Sequence, residues 1–353
     1  MKSSMSAKRV TMSDIAAKTG FSKTAVSFAF NKPDRISPES RERILAVAKE
    51  NGYIPDPMAR NFSTGRYMNV GLLLPQKVQS SLSNPYTHGI IKGIAEVCQT
   101  HDYMFTVIPP IRSSINESVR NATVDGIITM GLYVSDDIDE ILEQRQIPVV
   151  AIDGADSSET ISVCIDEVEA ARIQMMAVLD RGHRRIAVFS LQDDAYASNT
   201  PAEARSIVKK RKLGYSEALQ SVGMSFSDVQ CINLETTFES GQSNMAKLLE
   251  KDMAERPTCI VCMSDISALG ALAAIREAGL SSPEDISVIG FDGLEDLRIY
   301  GRRLTTIRQS AYEKGLKSAE ILFSLIGGSK LNERIVRVPF ELLEGETLGD
   351  AKC

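Results

Sequence analysis

The sequence predicts an α/β protein in two parts, an all-α N-terminal head and a two-lobed, doubly wound α/β core. Short helical patterns fill the first part, whereas short apolar runs alternate with helical patterns in the second. The charge divides in the same way, because residues 1–68 carry 12 Lys and Arg against 6 Asp and Glu, and residues 69–353 carry 28 against 40. A basic head on an acidic body indicates that only the head meets a polyanion, although a basic surface that is merely solvated has the same charge.

Three short helices are predicted in the head. Each begins after a hydroxyl-bearing N-cap, and the first and third end at a glycine. The predicted helices are Met12–Lys18, Lys23–Phe30 and Glu39–Asn51, with the N-caps Thr11, Ser22 and Ser37. In a helix-turn-helix, a small residue lets the two helices approach closely, a glycine forms the turn, and an apolar residue anchors the second helix. Ala16, Gly20 and Val26 are placed for these three roles, with a generic three-helix bundle as the alternative.

A second short element follows the head helices. The prolines of Pro55-Asp56-Pro57 stop the third helix, and residues 58–63 have the length of two helical turns. A helix this short is unstable alone. It is therefore either an inert linker or a segment that folds against DNA or against a second copy of the chain.

Residues 69–353 alternate strands and helices. Continuous apolar strands separated by helices are typical of parallel sheets covered on both faces, and their number predicts two sheets and two lobes. The predicted strands are Asn69–Leu74, Met104–Ile108, Gly126–Met130, Val149–Ile152, Ile161–Ile165, Arg185–Phe189, Cys259–Met263 and Ser287–Phe291. The predicted helices between them include Thr87–His101, Glu167–Arg181, Lys210–Val222, Ser240–Lys251 and Ala268–Ala278.

Enzymatic motifs are missing from the sequence. It has no Gly-rich phosphate-binding motif, and its three histidines have no partner at motif spacing. Cys259 and Cys262 form a CxxC, but residues three apart on a strand point to opposite faces. No stretch could span a membrane, and the N-terminus lacks a secretory signal. We expect a cytoplasmic binding protein that is not an enzyme, with no cofactor, metal, catalytic residue or membrane partner.

Three runs of the sequence carry a resemblance to a known family. They are VTMSDIAAKTGFSKTAVSFAFN, ISPESRERILAVAKENGYIPDPMARNFSTGR and MNVGLLLP. Together they resemble the head and hinge of the LacI/GalR repressors, colinearly over about 65 residues, and the likeness continues to the C-terminus. The resemblance implies a helix-turn-helix DNA-binding domain (1–56), a hinge helix and linker (57–68), and a two-lobed effector-binding and dimerisation domain (69–353) similar to periplasmic sugar-binding proteins.

The resemblance also assigns contacts with double-stranded DNA. It places Lys23, Thr24 and Phe28 at base-reading positions of the major groove. It places Thr11, Ser22, Ser27, Asn31 and Tyr53 at phosphate-binding positions. In the hinge, it places Ala59 and Arg60 in the minor groove and Phe62 as the wedge between base steps.

Three of the head and hinge positions depart from the usual family pattern. Ala25 replaces a common Thr, Phe28 stands where Arg is frequent, and Phe62 replaces the usual Leu. A phenylalanine cannot donate a hydrogen bond to guanine, but it can pack on a thymine methyl group or unstack a base step.

Polar residues follow several predicted core strands. Each of Asp153, Asp265 and Asp292 alone is better explained as a helix cap, and Asp265 fits that role best. Together, on both lobes, they indicate a cleft for a polyhydroxylated ligand beyond the carboxyl ends of the strands. The resemblance extends this set to the effector-binding residues Asn84, Tyr86, Asp153, Arg211, Ser264, Asp292 and Gln309.

The expected effector is a sugar or a nucleoside, with sugar phosphates as a further class. Ser264 replaces a common Asn, and Thr236 stands where an aromatic side chain often stacks on the ligand, with Phe238 two places away. The resemblance implies a homodimer that binds a pseudopalindromic operator. We expect a dimer rather than a tetramer, because the sequence shows no heptad repeat that could hold two dimers together. A regulator activated by a co-repressor, or controlled by a phosphoprotein partner, is the alternative function.

Overall fold

The computed structural model describes residues 10–55, 65–74, 78–112, 114–131, 136–154, 160–192, 206–294, 298–299 and 301–352. The chain divides into two compact units, Met1–Met68 and Asn69–Cys353, which we call the head and the core. The predicted hinge helix, with Ala59, Arg60 and Phe62, lies outside the described residues. Residues 193–205, which form most of the polar segment 192–209 before Arg211, lie outside them as well.

The head consists of short helices. They are α1 (Met12–Thr19), α2 (Lys23–Asn31), a 3-10 turn (Pro33–Arg35) and α3 (Pro38–Glu50). The predicted N-caps are confirmed, because the hydroxyls of Thr11, Ser22 and Ser37 each accept a backbone N–H of the following turn. Gly20 ends α1 with a φ of 76°, a left-handed conformation that favours glycine in this tight turn.

A small apolar cluster holds the three head helices together. Its members, one or two from each helix and Tyr53 after α3, are Ile15, Val26, Ala29, Ile44, Ala48 and Tyr53. The ring of Tyr53 packs edge-on against Phe30, with 5.6 Å between ring centroids. The anchor role predicted for Val26 agrees with its complete burial.

Fourteen strands are found in the described residues. They are β1 (Asn69–Leu73), β2 (Met104–Ile108), β3 (Gly126–Met130), β4 (Val149–Ile152), β5 (Ile161–Cys164), β6 (Ile186–Leu191), β7 (Gln230–Leu234), β8 (Cys259–Cys262), β9 (Ser287–Asp292), β10 (Arg298–Ile299), β11 (Arg302–Arg303), β12 (Thr305–Gln309), β13 (Ile335–Arg337) and β14 (Phe340–Leu343).

The described helices of the core alternate with these strands. They are α4 (Val78–Ser83), α5 (Pro85–Thr100), α6 (Ile115–Asn121), α7 (Asp136–Arg145), α8 (Glu167–Leu179), α9 (Ile207–Gln220), α10 (Phe238–Leu249), α11 (Asp265–Glu277) and α12 (Ala311–Ile326), with a 3-10 turn at Phe226–Asp228. No helix in the described part of the chain combines the length and apolarity needed to cross a membrane.

Twelve of the described strands form two six-stranded sheets, which confirms the prediction of two sheets, and β10 and β11 form a separate antiparallel pair. The N-terminal lobe has the order β13-β5-β4-β3-β1-β2 and is parallel throughout, with Leu72 beside Val107 and Ile128. The C-terminal lobe has the order β14-β12-β9-β8-β6-β7, in which β14 alone runs antiparallel. The chain passes between the lobes at residues 164–167, 309–311 and 337–340.

Helices cover both faces of each sheet. In the N-terminal lobe, α5 and α12 pack together on one face, and α6 and α7 cover the other. In the C-terminal lobe, α8 and α9 lie on one face and α10 and α11 on the other. Cys259 and Cys262 belong to the apolar clusters on these two opposite faces, as their spacing on a strand predicted.

The predicted elements of the core were right but incomplete. All eight predicted strands are present, with their ends displaced by at most two residues. The prediction missed six strands, because each contains polar residues and lacks a continuous apolar run: β7, β10, β11, β12, β13 and β14. It also missed α12, whose first turn contributes to the site described below.

The crossing of α5 and α12 requires glycine at position 93. A Cβ atom on Gly93 would collide with the backbone carbonyl oxygen of Tyr312 and the backbone nitrogen of Leu316. We expect Gly93→Ala to lower the free energy of unfolding by about 1–3 kcal/mol, because the helices must move apart. Urea unfolding measures this, with Gly327→Ala as control, since the nearest atom to a Cβ there is 3.3 Å away. Equal losses in both variants would contradict the close crossing.

Candidate functional site

A cavity of about 150 Å³ lies where the carboxyl ends of the two sheets face each other. Its position follows from the parallel strands, which bring the residues after each strand to one edge of the sheet. All seven predicted effector-binding residues line it: Asn84, Tyr86, Asp153, Arg211, Ser264, Asp292 and Gln309. The remaining described lining residues are Ser81, Thr87, Met130, Gly131, Leu191, Ile207, Thr236 and Met263.

The N-terminal wall of the cavity is built on Asp153, which follows β4. The hydroxyl of Tyr86 donates to Oδ2 of Asp153 at 3.1 Å. The ammonium of Lys314, on the first turn of α12, donates to Oδ1 of the same carboxylate at 2.5 Å. Lys314 is 0% and Asp153 6% exposed, so this ion pair is almost completely removed from water.

The C-terminal wall continues this hydrogen-bonded chain. Lys314 Nζ also donates to Oε1 of Gln309, the last residue of β12, at 2.6 Å. The Nε2 atom of Gln309 in turn donates to Oδ1 of Asp292, the last residue of β9, at 2.8 Å. The buried chain Tyr86–Asp153–Lys314–Gln309–Asp292 therefore joins both lobes.

Burial changes the acid–base properties of two members of the chain. Burial, and next the charge of Asp153, raises the pKa of Tyr86 well above its ordinary value, so its phenol keeps its proton and donates. Burial, and next the charge of Asp265, raises the pKa of Asp292. A carboxyl group that holds its proton more tightly can both donate and accept near neutral pH.

Arg211 forms a second buried ion pair at the cavity. Its Nε donates to Oε2 of Glu167 at 2.7 Å, its Nη1 donates to the carbonyl of Met263 at 2.5 Å, and its guanidinium lies 3.5 Å from the ring centre of Phe291. Burial disfavours the charge of Arg211, but the carboxylate of Glu167 outweighs it and raises the pKa of the guanidinium. Oε1 of Glu167 is buried without a hydrogen-bond partner in the described part of the chain.

The cap assigned to Asp265 from the sequence was wrong. Ser264 caps α11, because its hydroxyl accepts the backbone N–H of Ser267 and pairs with the Ser267 hydroxyl at 2.9 Å. The carboxylate of Asp265 instead turns toward the sheet, where Thr306 Oγ1 donates at 2.6 Å and the backbone N–H of Leu294 at 2.9 Å. Two adjacent polar residues at a helix start cannot be separated into cap and first residue without the tertiary partners.

The stacking position of the cavity holds no aromatic ring among the described residues. Thr236 lines the cavity, whereas Phe238 begins α10 and packs partly buried against the core of the C-terminal lobe. A flat ligand therefore gains no stacking partner from these two positions.

Sequence reasoning missed the two buried partners behind the cavity. Lys314 and Glu167 do not line it, yet each holds a charged lining residue in place. Glu167 was placed in a predicted helix without a role, and the helix that contains Lys314 was not predicted. A lysine within an amphipathic helix is usually exposed, so the sequence carried no signal for its burial.

The head presents a second candidate site, on α2. The predicted contacts Lys23, Thr24, Ser27, Phe28 and Asn31 recur at helical spacing on the side that is exposed or half-buried. The opposite side carries Val26 and Ala29, both fully buried in the head. The geometry therefore leaves all five side chains on one outward face, while their contacts with DNA stay a prediction.

The side chains predicted to contact phosphates also form contacts within the head. Thr11 and Asp14 form a capping box at the start of α1, and Ser22 caps α2. Asn31 Nδ2 donates to Ser27 Oγ at 3.4 Å on the outward face of α2. Tyr53 is only 9% exposed, because its ring belongs to the head core.

A metal site would need several His, Cys, Asp or Glu side chains close together. Within the residues that the structure describes, no three or more His, Cys, Asp or Glu side chains lie together in a way that could hold a metal ion. His183 is buried between Thr258 Oγ1 and the carbonyl of Gly349, each 2.9 Å from a ring nitrogen, which is a structural arrangement.

Comparison with known proteins identifies the family to which both parts of the chain are similar. Residues 11–56 match the family described as "Bacterial regulatory proteins, lacI family", and residues 68–346 match "Periplasmic binding proteins and sugar binding domain of LacI family". The HTH-type transcriptional repressor CytR of Escherichia coli (strain K12) is 30% identical over 93% of each chain. Catabolite control protein A of Priestia megaterium is 28% identical over 94% of this chain and 97% of the relative.

A solved structure shows the same fold. The lac repressor dimer bound to operator and the anti-inducer ONPF matches with a TM-score of 0.76 at 24% identity, over 97% of this chain and 100% of that one. The chain therefore belongs to the LacI family and is a DNA-binding transcription regulator with a periplasmic-binding-protein-like ligand-binding domain.

Proposed function

We propose that this regulator is a repressor that binds a pseudopalindromic operator as a homodimer and is controlled by a sugar or nucleoside in the cavity between its lobes. It acts in the cytoplasm, where bacterial DNA lies, and catalyses no reaction. The observation that carries the proposal is the buried hydrogen-bonded chain across the cavity, because it places polar groups from both lobes around one small volume.

The donor and acceptor groups of the cavity suit a hydroxyl-rich ligand. The Asp153 carboxylate can accept hydrogen bonds from ligand hydroxyls, and Asp292, whose pKa is raised, can both accept and donate. Arg211 offers the N–H groups of its guanidinium that Glu167 and the Met263 carbonyl leave free. A cavity of about 150 Å³ in the described residues accommodates a compact molecule. With Thr236 at the stacking position, the sugar portion of the ligand contributes the main contacts.

Control of DNA binding follows from the position of the ligand between the lobes. A ligand that binds one arrangement of the lobes more tightly shifts the protein toward that arrangement. The predicted hinge segment 57–63 connects the core to the head and is the element through which we expect this shift to reach DNA. Two heads in a symmetric dimer read two half-sites, which is why the operator is expected to be a pseudopalindrome.

Substitution of the cavity residues tests the ligand site. We expect Arg211→Ala to weaken ligand binding about tenfold to a hundredfold, since it removes a charge-assisted hydrogen bond of about 1.5–3 kcal/mol. Asp292→Asn should weaken binding less, by about 0.5–1.5 kcal/mol, because the raised pKa of Asp292 makes its hydrogen bond to the ligand an uncharged one near neutral pH. Ligands are identified by thermal-shift screening of sugars, sugar phosphates and nucleosides, and affinities are measured by calorimetry. Arg172→Ala is the matched control, because this half-exposed arginine of α8 pairs with Glu169 away from the cavity.

The outcomes separate the possible functions. A ligand whose affinity survives both cavity substitutions would show that it binds elsewhere. Chemical conversion of the ligand would overturn the assignment as a regulator without enzymatic activity. Operator affinity that rises with the ligand, rather than falls, would identify a co-repressor instead of an inducer.

The pKa of Asp292 predicts how the stability of the ligand-free protein depends on pH. Burial, and next the charge of Asp265, raises this pKa from 3.8 to about 8. The folded state therefore holds the proton more tightly, so the stability contributed by Asp292 is complete below about pH 3.8 and is lost as the pH rises to about 8. We expect the urea midpoint to fall between about pH 5 and pH 8, and to fall less in Asp292→Asn. A fall at least as large in the variant would argue against this assignment.

DNA binding by the head is tested with a duplex selected from a random library by the full-length protein. We expect Lys23→Ala to weaken this duplex by about 1–3 kcal/mol, the usual cost of losing one base contact, measured by fluorescence anisotropy. Lys247→Ala, an exposed lysine of α10 in the core, is the control. The wild-type affinity should also fall steeply with salt, because phosphate contacts release counterions. A flat salt response would be incompatible with the phosphate contacts assigned to the head.

A further inference from the structure

Lys314 is a buried cation behind the cavity that belongs to the hydrogen-bonded chain but has not been assigned a role of its own in ligand binding. It is 0% exposed, and it lies on α12, which packs on the N-terminal lobe. Its two acceptors come from different lobes: Asp153 follows β4 of the N-terminal sheet, and Gln309 ends β12 of the C-terminal sheet. Burial of an ammonium is costly, so a residue in this environment must be paired and hydrogen-bonded in the folded protein.

The lysine determines which end of the Gln309 amide faces each neighbour. An ammonium group can only donate, so the amide oxygen must point toward Lys314, and Nζ and Oε1 are 2.6 Å apart. The amide nitrogen then points toward Asp292, to which it donates at 2.8 Å. Without Lys314, the amide would be free to turn over and present its oxygen to the carboxyl of Asp292.

The lysine also sets the charge of the cavity. It neutralises Asp153, just as Arg211 is neutralised by Glu167. Both buried cations at the cavity are thus already paired with a carboxylate. Among the described lining residues, the side chain of Asp292 accepts from the uncharged Gln309 amide and from a backbone N–H, and it forms no ion pair. The described site therefore keeps a carboxyl group that no cation occupies, and each of its two buried cations already has a carboxylate partner.

We propose that Lys314 is a positioning residue that orients Asp153 and Gln309 toward a neutral, hydroxyl-bearing ligand and selects such a ligand over its phosphorylated form. The inference rests on the proposed function of the cavity and narrows its ligand class. A phosphate group carries a charge of about −1.5 to −2 at neutral pH and needs an Arg or Lys whose charge is not already balanced by a carboxylate, whereas a ligand hydroxyl can hydrogen-bond with the carboxyl group of Asp292.

The pairing is tested first without ligand. Thermal unfolding is measured for the wild type, Lys314→Met, Asp153→Asn and the double variant. We expect Lys314→Met to lower the melting temperature, because the charge of Asp153 is left buried and unpaired. Adding Asp153→Asn should recover part of that loss. Strictly additive effects of the two substitutions would overturn the inference. Lys317→Met, an exposed lysine of the same helix, is the control.

Ligand selectivity then separates positioning from a merely structural role. The panel contains ribose and ribose 5-phosphate, glucose, glucose 6-phosphate and glucosamine, and the common nucleosides with their 5′-monophosphates. We expect wild-type protein to bind a neutral member at least about tenfold more tightly than its phosphate, which corresponds to 1.4 kcal/mol, because the phosphate loses its hydration without meeting a cation whose charge is free to balance it. In Lys314→Met, the unpaired Asp153 should shift the preference toward an amino-bearing ligand, and Asp153→Asn should remove that shift.

Each outcome decides between the two proposals. Tighter binding of phosphorylated members would leave the cavity as the ligand site and overturn the selectivity inference alone. An equal loss for every ligand in Lys314→Met, with no shift toward glucosamine relative to glucose, would mean a structural role and would also overturn it. If no compound binds wild-type protein at the cavity, the proposed function fails, and the inference that rests on it fails too.

Discussion

The buried chain from Tyr86 through Asp153, Lys314 and Gln309 to Asp292 is the interaction on which the cavity depends. Its members come from both lobes, which are otherwise connected by three short segments of backbone. A buried ion pair adds little net stability, but removing one partner costs about 3–5 kcal/mol, because the other charge stays buried. The chain therefore acts less as a source of stability than as a constraint on the geometry of the ligand site.

Close packing around the chain makes that constraint effective. Gly93 and Gly315 allow α5 and α12 to touch backbone to backbone, and this crossing fixes the turn that carries Lys314. On the other lobe, Gln174 donates to the carbonyls of Cys262 and Gly290 and accepts from a tyrosine hydroxyl, so the strand ends are held as well. Close packing on both sides is the reason why, in the proposed mechanism, a ligand changes the relation between the lobes rather than the shape of either wall.

The head is stabilised by one small apolar cluster, whereas the core is built on two large sheets. The three helices of the head share this cluster, and the outward face on α2 is made of polar residues and Phe28. Short helices with defined caps position side chains accurately at low cost in chain length, which suits a surface that must match a DNA groove. For Phe28 on this face we propose an apolar contact with the operator, for which a thymine methyl group is a suitable partner.

The sequence by itself determined the two-part division, the three helices of the head and eight strands of the core, because these depend on local caps and apolar runs. The resemblance of its motifs to the LacI/GalR repressors supplied the seven residues that line one cavity. The tertiary structure alone decided which side chains hold those residues. Lys314 and Asp153 are 161 positions apart, and Arg211 and Glu167 are 44 apart, so no local pattern links them. Likewise, Ser264 rather than Asp265 is the cap, because only folding brings Thr306 to the carboxylate of Asp265. Burial of a charge is a property of the assembled core, and a lysine on a helix reveals it only when its partners from other strands are in place.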